Sequence, residues 1–153
     1  MNEPLLRFAT PDDSVVVFRL VQALAEYEKL TDEVISSPDD FRKILLDPNS
    51  RVEVLLAEKE GRAIGFALFF QNFSTFLGKP GLFLEDLFVV PEHRKSGIGT
   101  ALLQRLIELA KERNYGRVEW NVLDWNEPAI DFYTKRIGAK LMKSWRVCRI
   151  TVG

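Results

Sequence analysis

The stretch VVPEHRKSGIGTALLQRLIELAKE, residues 89–112, decides how this chain is read. It leaves a β-rich apolar run, passes Pro91, and sets two glycines around Ile98. It then continues as an amphipathic helix with Ile98, Leu102, Leu106 and Ala110 on its apolar side. Glycine in a loop that feeds a helix lets the backbone come close to a ligand, and the unpaired N–H groups of a first helical turn favour an anion. Upstream, residues 82–90 read as an apolar strand interrupted by Glu85-Asp86. Downstream, residues 117–123 alternate, with Val118, Trp120 and Val122 facing one way and Glu119 and Asn121 the other. This strand–helix–strand unit predicts a right-handed parallel crossover.

Working further outward, residues 5–9 read as a short strand. Thr10 followed by Pro11 and acids starts a helix running to about residue 30, and Ser37-Pro38-Asp39-Asp40 starts a shorter one. Residues 52–58 and 63–70 flank Glu60-Gly61 as a hairpin. Asn126 caps a helix with Pro128 in its first turn, ending near Gly138, and residues 145–152 alternate as a last strand. The expected order is β-α-α-β-β-β-α-β-α-β, a mixed α/β domain spanning residues 1–153.

The 153 residues carry 46% hydrophobic and 28% charged side chains and a net charge of −1, which fits one ordinary globular domain. That charge gives no global electrostatic case for binding nucleic acid or a membrane. No apolar run approaches the ~20 residues of a membrane span, and residues 1–8 lack the pattern of a signal peptide, so the cytoplasm is the expected location. Cys148 and His93 are the only residues of their types, so no metal site is expected. Cys148 lies in the last alternating run and is expected to be a buried structural thiol.

Three anion-binding patterns compete for residues 94–100. A nucleotide P-loop needs Lys and Ser or Thr directly after its second glycine, and a dinucleotide fold needs a third glycine; neither is present. The third pattern is Arg or Gln, two residues, Gly, one residue, then Gly or Ala at a strand-to-helix turn. Arg94-Lys95-Ser96-Gly97-Ile98-Gly99 fits it at every position.

This loop resembles motif A of the GNAT acetyltransferases. A second signature follows: Asn126, then Phe132-Tyr133 at the end of a helix, then Gly138-Ala139. The resemblance extends through Ala25-Glu26-Tyr27-Glu28, Ile64-Gly65-Phe66-Ala67, Leu84-Glu85-Asp86-Leu87-Phe88-Val89, Leu123-Asp124-Trp125-Asn126-Glu127-Pro128 and Trp145-Arg146. Within the superfamily the chain looks like the spermidine/spermine and thialysine N-acetyltransferases, and residues 122–126 look more like the thialysine, ornithine and diamine branch. The resemblance implies a GNAT fold, with a central mixed, mostly antiparallel twisted sheet flanked by helices. It also implies acetyl-CoA as co-substrate, a homodimer, and transfer of acetyl to a small primary amine. Acylation of a protein lysine or N-terminus, and a catalytically silent CoA sensor, remain open as alternatives.

The chemistry asks for a proton sink, because an alkyl ammonium with a pKa near 10.4 must be neutral to attack a thioester; it also asks for a carbonyl donor and an acid for the leaving thiolate. The resemblance gives the first role to Glu85, directly or through water, and the last to Tyr133. It assigns Leu87, Phe88, Val89, Arg94, Lys95, Ser96, Gly97, Ile98, Gly99, Thr100, Asn126, Ala129, Tyr133 and Arg136 to acetyl-CoA, and Tyr27, Glu28, Glu85, Asp86 and Asp124 to the amine. In a regular strand Glu85 and Asp86 point to opposite faces, so only one reaches the site unless a bulge re-aims them. Where polyamine enzymes carry an acid-Pro-Trp segment this chain has Ser74-Thr75-Phe76-Leu77, and acids expected before the final Trp-Arg are replaced by Lys140-Leu141-Met142-Lys143-Ser144. Spermine is therefore not the expected acceptor.

Overall fold

A computed structural model describes residues 3–153. Two compact units divide the chain after Asn121. The first holds a five-stranded sheet in the order β1-β2-β3-β4-β5, built from β1 (Leu5–Phe8), β2 (Val52–Lys59), β3 (Arg62–Ser74), β4 (Lys79–Val89) and β5 (Val118–Trp120). β1 to β4 pair antiparallel in chain order, and β4 pairs parallel with β5 across the α3 crossover (Ile98–Glu112). The fold is mixed α/β, with a mostly antiparallel sheet between helices.

Alternation along the strands builds both faces. Val54 and Leu56 of β2, Phe66 and Leu68 of β3, and Phe88 of β4 form one cluster with Val17, Leu20 and Leu24 of α1 (Ser14–Glu28). α2 (Pro38–Leu46) adds Phe41 and Leu45 to its margin. The opposite face carries Leu55, Ala67 and Phe69, and α3 supplies buried Ile98, Leu102, Leu103, Leu106, Leu109 and Ala110. Gly65 is required where β3 passes β4: a Cβ there would lie 2.9 Å from the Phe88 carbonyl oxygen and 3.5 Å from Leu102 of α3.

The helix starts follow the predicted signals. Thr10 with Asp13, and Ser37 with Asp40, each close a capping box, and proline occupies the first turn both times. α1 ends with Lys29 in the left-handed region (φ 62°). The Lys29 N–H bonds to the Glu26 carbonyl and the Leu30 N–H to the Ala25 carbonyl, a Schellman closure that leaves Glu28 at the C-terminal end of the helix.

The second unit, Val122–Gly153, contains α4 (Glu127–Asp131), which widens into a π-helical turn over Phe132–Ile137 and stops at left-handed Gly138. The expected last strand is not formed. Residues 145–152 have no strand partner, and Trp145, Val147, Ile150 and Val152 are exposed. Cys148 is exposed rather than buried. Alternation satisfies the pleat, but a strand also needs a paired edge for its backbone N–H and C=O groups.

Candidate functional site

The centre of the site is an irregularity in β4. Leu68 of β3 pairs with Asp86 while its neighbour Phe69 pairs with Leu84, so Glu85 is the extra residue of a bulge. Without it, Asp86 would share the α3 side of the sheet with Leu84. With it, Asp86 sits opposite Leu68 and shares the α1 side with Phe88; Leu68 and Phe88 belong to the core cluster that packs on α1. The Asp86 carboxyl is largely withdrawn from water. Burial, with Glu85 and then Glu28 adding like charge, pushes it up to about 7. Burial also raises the Glu28 carboxyl at the end of α1. Glu85 itself is exposed. Three carboxylates thus gather where the negative end of the α1 dipole adds to them, an arrangement suited to a cation. The bulge is the condition under which the two acids are expected to depart from strict opposite-face alternation.

The next feature is an open strand edge. β5 pairs with β4 only at Leu82, Phe83 and Leu84, ending at Trp120. β4 continues through Asp86, Leu87, Phe88 and Val89 against β3 alone. Among the described residues no strand covers the other edge of this segment. Its backbone polar groups can therefore take an amide-containing ligand in the manner of an added strand.

Beyond β4 the chain makes a short 3-10 turn over Pro91–His93, and the Ser96 hydroxyl donates back to the His93 carbonyl. Lys95 (φ 64°) and Gly97 (φ 86°) are both left-handed, and α3 begins at Ile98. The first intrahelical bond runs from the Ala101 N–H to the Gly97 carbonyl at 2.9 Å. The N–H groups of Ile98, Gly99 and Thr100 lie in the turn that has no carbonyl to serve it. Ile98 is buried, so its side chain belongs to the core, whereas Lys95, Ser96 and Gly97 are exposed. A Cβ on Gly97 would meet nothing within 4 Å, so its glycine answers to φ, not to crowding within the chain.

Arg94 does not extend into this loop. Its Nε donates to the Val89 carbonyl at 2.9 Å. Its guanidinium carbon lies 4.5 Å from the Tyr27 ring centroid and 5.2 Å from that of Phe88. This link between the loop and the end of α1 escaped the sequence reading; an arginine following a strand that contains Phe88 gives no local sign of it.

In the second unit, Asn126 is buried and its Oδ1 accepts from the Ala129 N–H at 3.4 Å, so it caps α4. Tyr133 lies in the π-helical turn, half-buried beside Phe132, and its carbonyl accepts from the Ala139 N–H at 2.9 Å. A π turn adds a residue to the helical repeat and often marks a functional position. Asp124 and Arg136 are exposed, and Ala129 is half-buried. Among the described residues no three His, Cys, Asp or Glu side chains are arranged to hold a metal, and no helix is long and apolar enough to cross a membrane.

A parallel pair that parts after Leu84, a left-handed glycine loop at the mouth of a helix and a bulged acidic strand define an acyl-transfer scaffold of the N-acetyltransferase type. The sequence model of the acetyltransferase (GNAT) family matches residues 17–139, and the chain belongs to that family. It is 32% identical to the L-ornithine N5-acetyltransferase NATA1 of Arabidopsis thaliana, over 95% of this chain and 83% of that protein. It is 34% identical to the thialysine N-epsilon-acetyltransferase of Sus scrofa, over 92% and 86% of the respective chains. Among solved structures, an integron cassette protein from the mobile metagenome of V. cholerae shares the fold at TM-score 0.80 and 24% identity, covering 99% of this chain and 94% of that one. The ribosomal-protein-alanine N-acetyltransferase of Brucella melitensis biovar Abortus 2308 shares it at TM-score 0.75 and 22% identity, covering 96% and 99%. The protein is thus a GNAT-type N-acetyltransferase acting on amines, from a family that uses acetyl-CoA as co-substrate.

Proposed function

We propose that the chain transfers acetyl from acetyl-CoA directly to the primary amine of a small diamine or basic amino acid of the thialysine, ornithine or lysine kind. One observation carries this reading: β4–β5 pairing stops at Leu84–Trp120, immediately before the bulged Glu85-Asp86 and the open edge of Leu87, Phe88 and Val89. An amide-bearing cofactor arm and an ammonium-binding acidic cluster are thereby served by consecutive residues of one strand.

Acetyl-CoA supplies an acetyl thioester. The backbone of Leu87, Phe88 and Val89 takes its pantetheine amides, and the first-turn N–H groups after Gly97 take its pyrophosphate, with Lys95, Ser96 and Thr100 around them. Asn126, Ala129 and Arg136 complete the cofactor's surroundings. Tyr27, Glu28, Asp86 and, at the distal end, Asp124 receive the amine. Glu85 accepts the ammonium proton, directly or through water. The amine nitrogen bonds to the carbonyl carbon, the carbon–sulfur bond breaks, and the Tyr133 hydroxyl protonates the departing thiolate, while the second proton shed by the nitrogen returns the tyrosine to its neutral form through solvent. The two units act as one acetyltransferase domain in a cytoplasmic homodimer, and exposed Trp145, Val147 and Ile150 offer apolar surface for the second copy.

The relatives named for ornithine and thialysine support a small amine acceptor. The test is thiol release from acetyl-CoA with 1,3-diaminopropane, ornithine, lysine, thialysine, spermidine, spermine and a lysine peptide. Small amines should lead in kcat/KM. A lead of tenfold or more for spermine or the peptide overturns the acceptor assignment, and no turnover with any amine overturns the reaction.

A further inference from the structure

We infer that Arg94, the first residue of the glycine loop, is a positioning residue for the amine: stacked between Tyr27 and Phe88, it ties the end of α1 to the exit of β4. This rests on the function proposed above. The last turn of α1 carries Tyr27 and Glu28. Leu24 and Ala25 are buried in the core, whereas Tyr27 is exposed at 37% and seated against the Arg94 guanidinium. Tyr27 is thus the outer ring of the ring–guanidinium–ring stack. Phe88, only 4% exposed, is the fixed base of the stack. The Nε–Val89 bond holds the guanidinium, whose carbon lies 4.5 Å from the Tyr27 ring centroid.

Two consequences follow from the chemistry. A planar, weakly hydrated guanidinium can face an aromatic ring and donate in its own plane at the same time, which a lysine ammonium cannot do. The guanidinium is also engaged by the Val89 carbonyl and the two rings. Burial and like charge from Glu85 and Glu28 hold the Asp86 carboxyl raised, a state that an ammonium ligand would relieve. A residue of the anion loop therefore sets the place of Glu28 relative to Asp86, and cofactor-side and amine-side binding share one element.

The test compares Arg94→Lys, Tyr27→Leu, Tyr27→Phe and the Arg94→Lys/Tyr27→Leu double variant. Amine KM and kcat are measured at saturating acetyl-CoA, and CoA affinity is measured separately by calorimetry. Tyr27→Leu should raise the KM for ornithine or a diamine about 3- to 30-fold, the worth of one cation–π contact, with CoA affinity within about twofold of the parent. Tyr27→Phe keeps the stack and should restore most of the loss. Arg94→Lys should raise amine KM by a similar factor, and the double variant should be no worse in amine KM than the worse single one, because both changes break the same contact. Multiplying effects in the double variant, or an Arg94→Lys protein that loses CoA affinity while amine KM at saturation is unchanged, overturns the inference. A parent protein that turns over no amine refutes the proposed function instead.

Discussion

Replacing Asp86 by Asn keeps the side-chain volume and removes the charge. The folded chain holds a proton on this carboxyl up to about pH 7, against an ordinary value of 3.8. Between those values the native state binds a proton that the unfolded state has released. Stability therefore falls as pH rises from about 4 to about 7 and stays at the lower level above that. The whole difference corresponds to at most ~4 kcal/mol. The residue keeps some contact with solvent, which screens part of this and leaves a cost of about 1–3 kcal/mol at pH 8. Asn carries no such cost. Asp13, lowered to about 2 chiefly by its hydrogen bond to Arg7, acts in the opposite sense at lower pH, and it acts equally in both proteins. Urea unfolding of parent and variant at pH 4 and pH 8 should give equal stabilities at the lower pH. At the higher pH the variant should be more stable by about 1–3 kcal/mol, or roughly 3–10 °C in Tm for a chain of this size. The same variant should bind its amine substrate at least about tenfold more weakly at pH 8, since a charge-assisted partner is gone. A variant less stable than the parent at pH 8, or a stability difference independent of pH, would falsify the account of Asp86 as a strained acid kept for binding.

Gly97→Asn tolerates the left-handed backbone but adds a side chain where the loop should meet phosphate. The fold should survive and the Kd for acetyl-CoA should rise by at least about tenfold, while unchanged calorimetric affinity removes the loop from the cofactor site. Tyr133→Phe keeps the ring and should lower kcat about 10²–10⁴-fold with cofactor affinity little altered; parent-like kcat under chemistry-limited conditions makes the tyrosine structural. Glu28→Gln should raise KM for a diamine much more than for a monoamine of equal length, with kcat nearly intact, and equal effects on the two would take Glu28 out of the acceptor site.

Much of the candidate site's local backbone geometry was legible because it is set over short range. Gly97 at a left-handed position, the helix it opens, Asn126 as an N-cap and Pro128 in the first turn are each dictated by residues a few positions apart. Glu85-Asp86 could be singled out as acids inside an apolar strand. Which of them would be buried could not be read, because facing depends on the register against β3, and one inserted residue at Glu85 reverses it. The final strand failed for a related reason: residues 145–152 have the alternation, but among the described residues their backbone pairs with no strand.

What the sequence by itself determined is the class of protein and the glycine loop that opens α3, since capping, glycine conformation, hydrophobic period and motif spacing act over a few residues of one chain segment. What only the tertiary structure decided is how those pieces share a site. The bulge that turns Asp86 toward α1, the parting of β5 from β4 after Leu84, and the seating of Arg94 on Tyr27 and Phe88 join residues far apart in the chain. Their energies come from strand register, burial of charge and ring contact, and each of these exists only once distant segments have met.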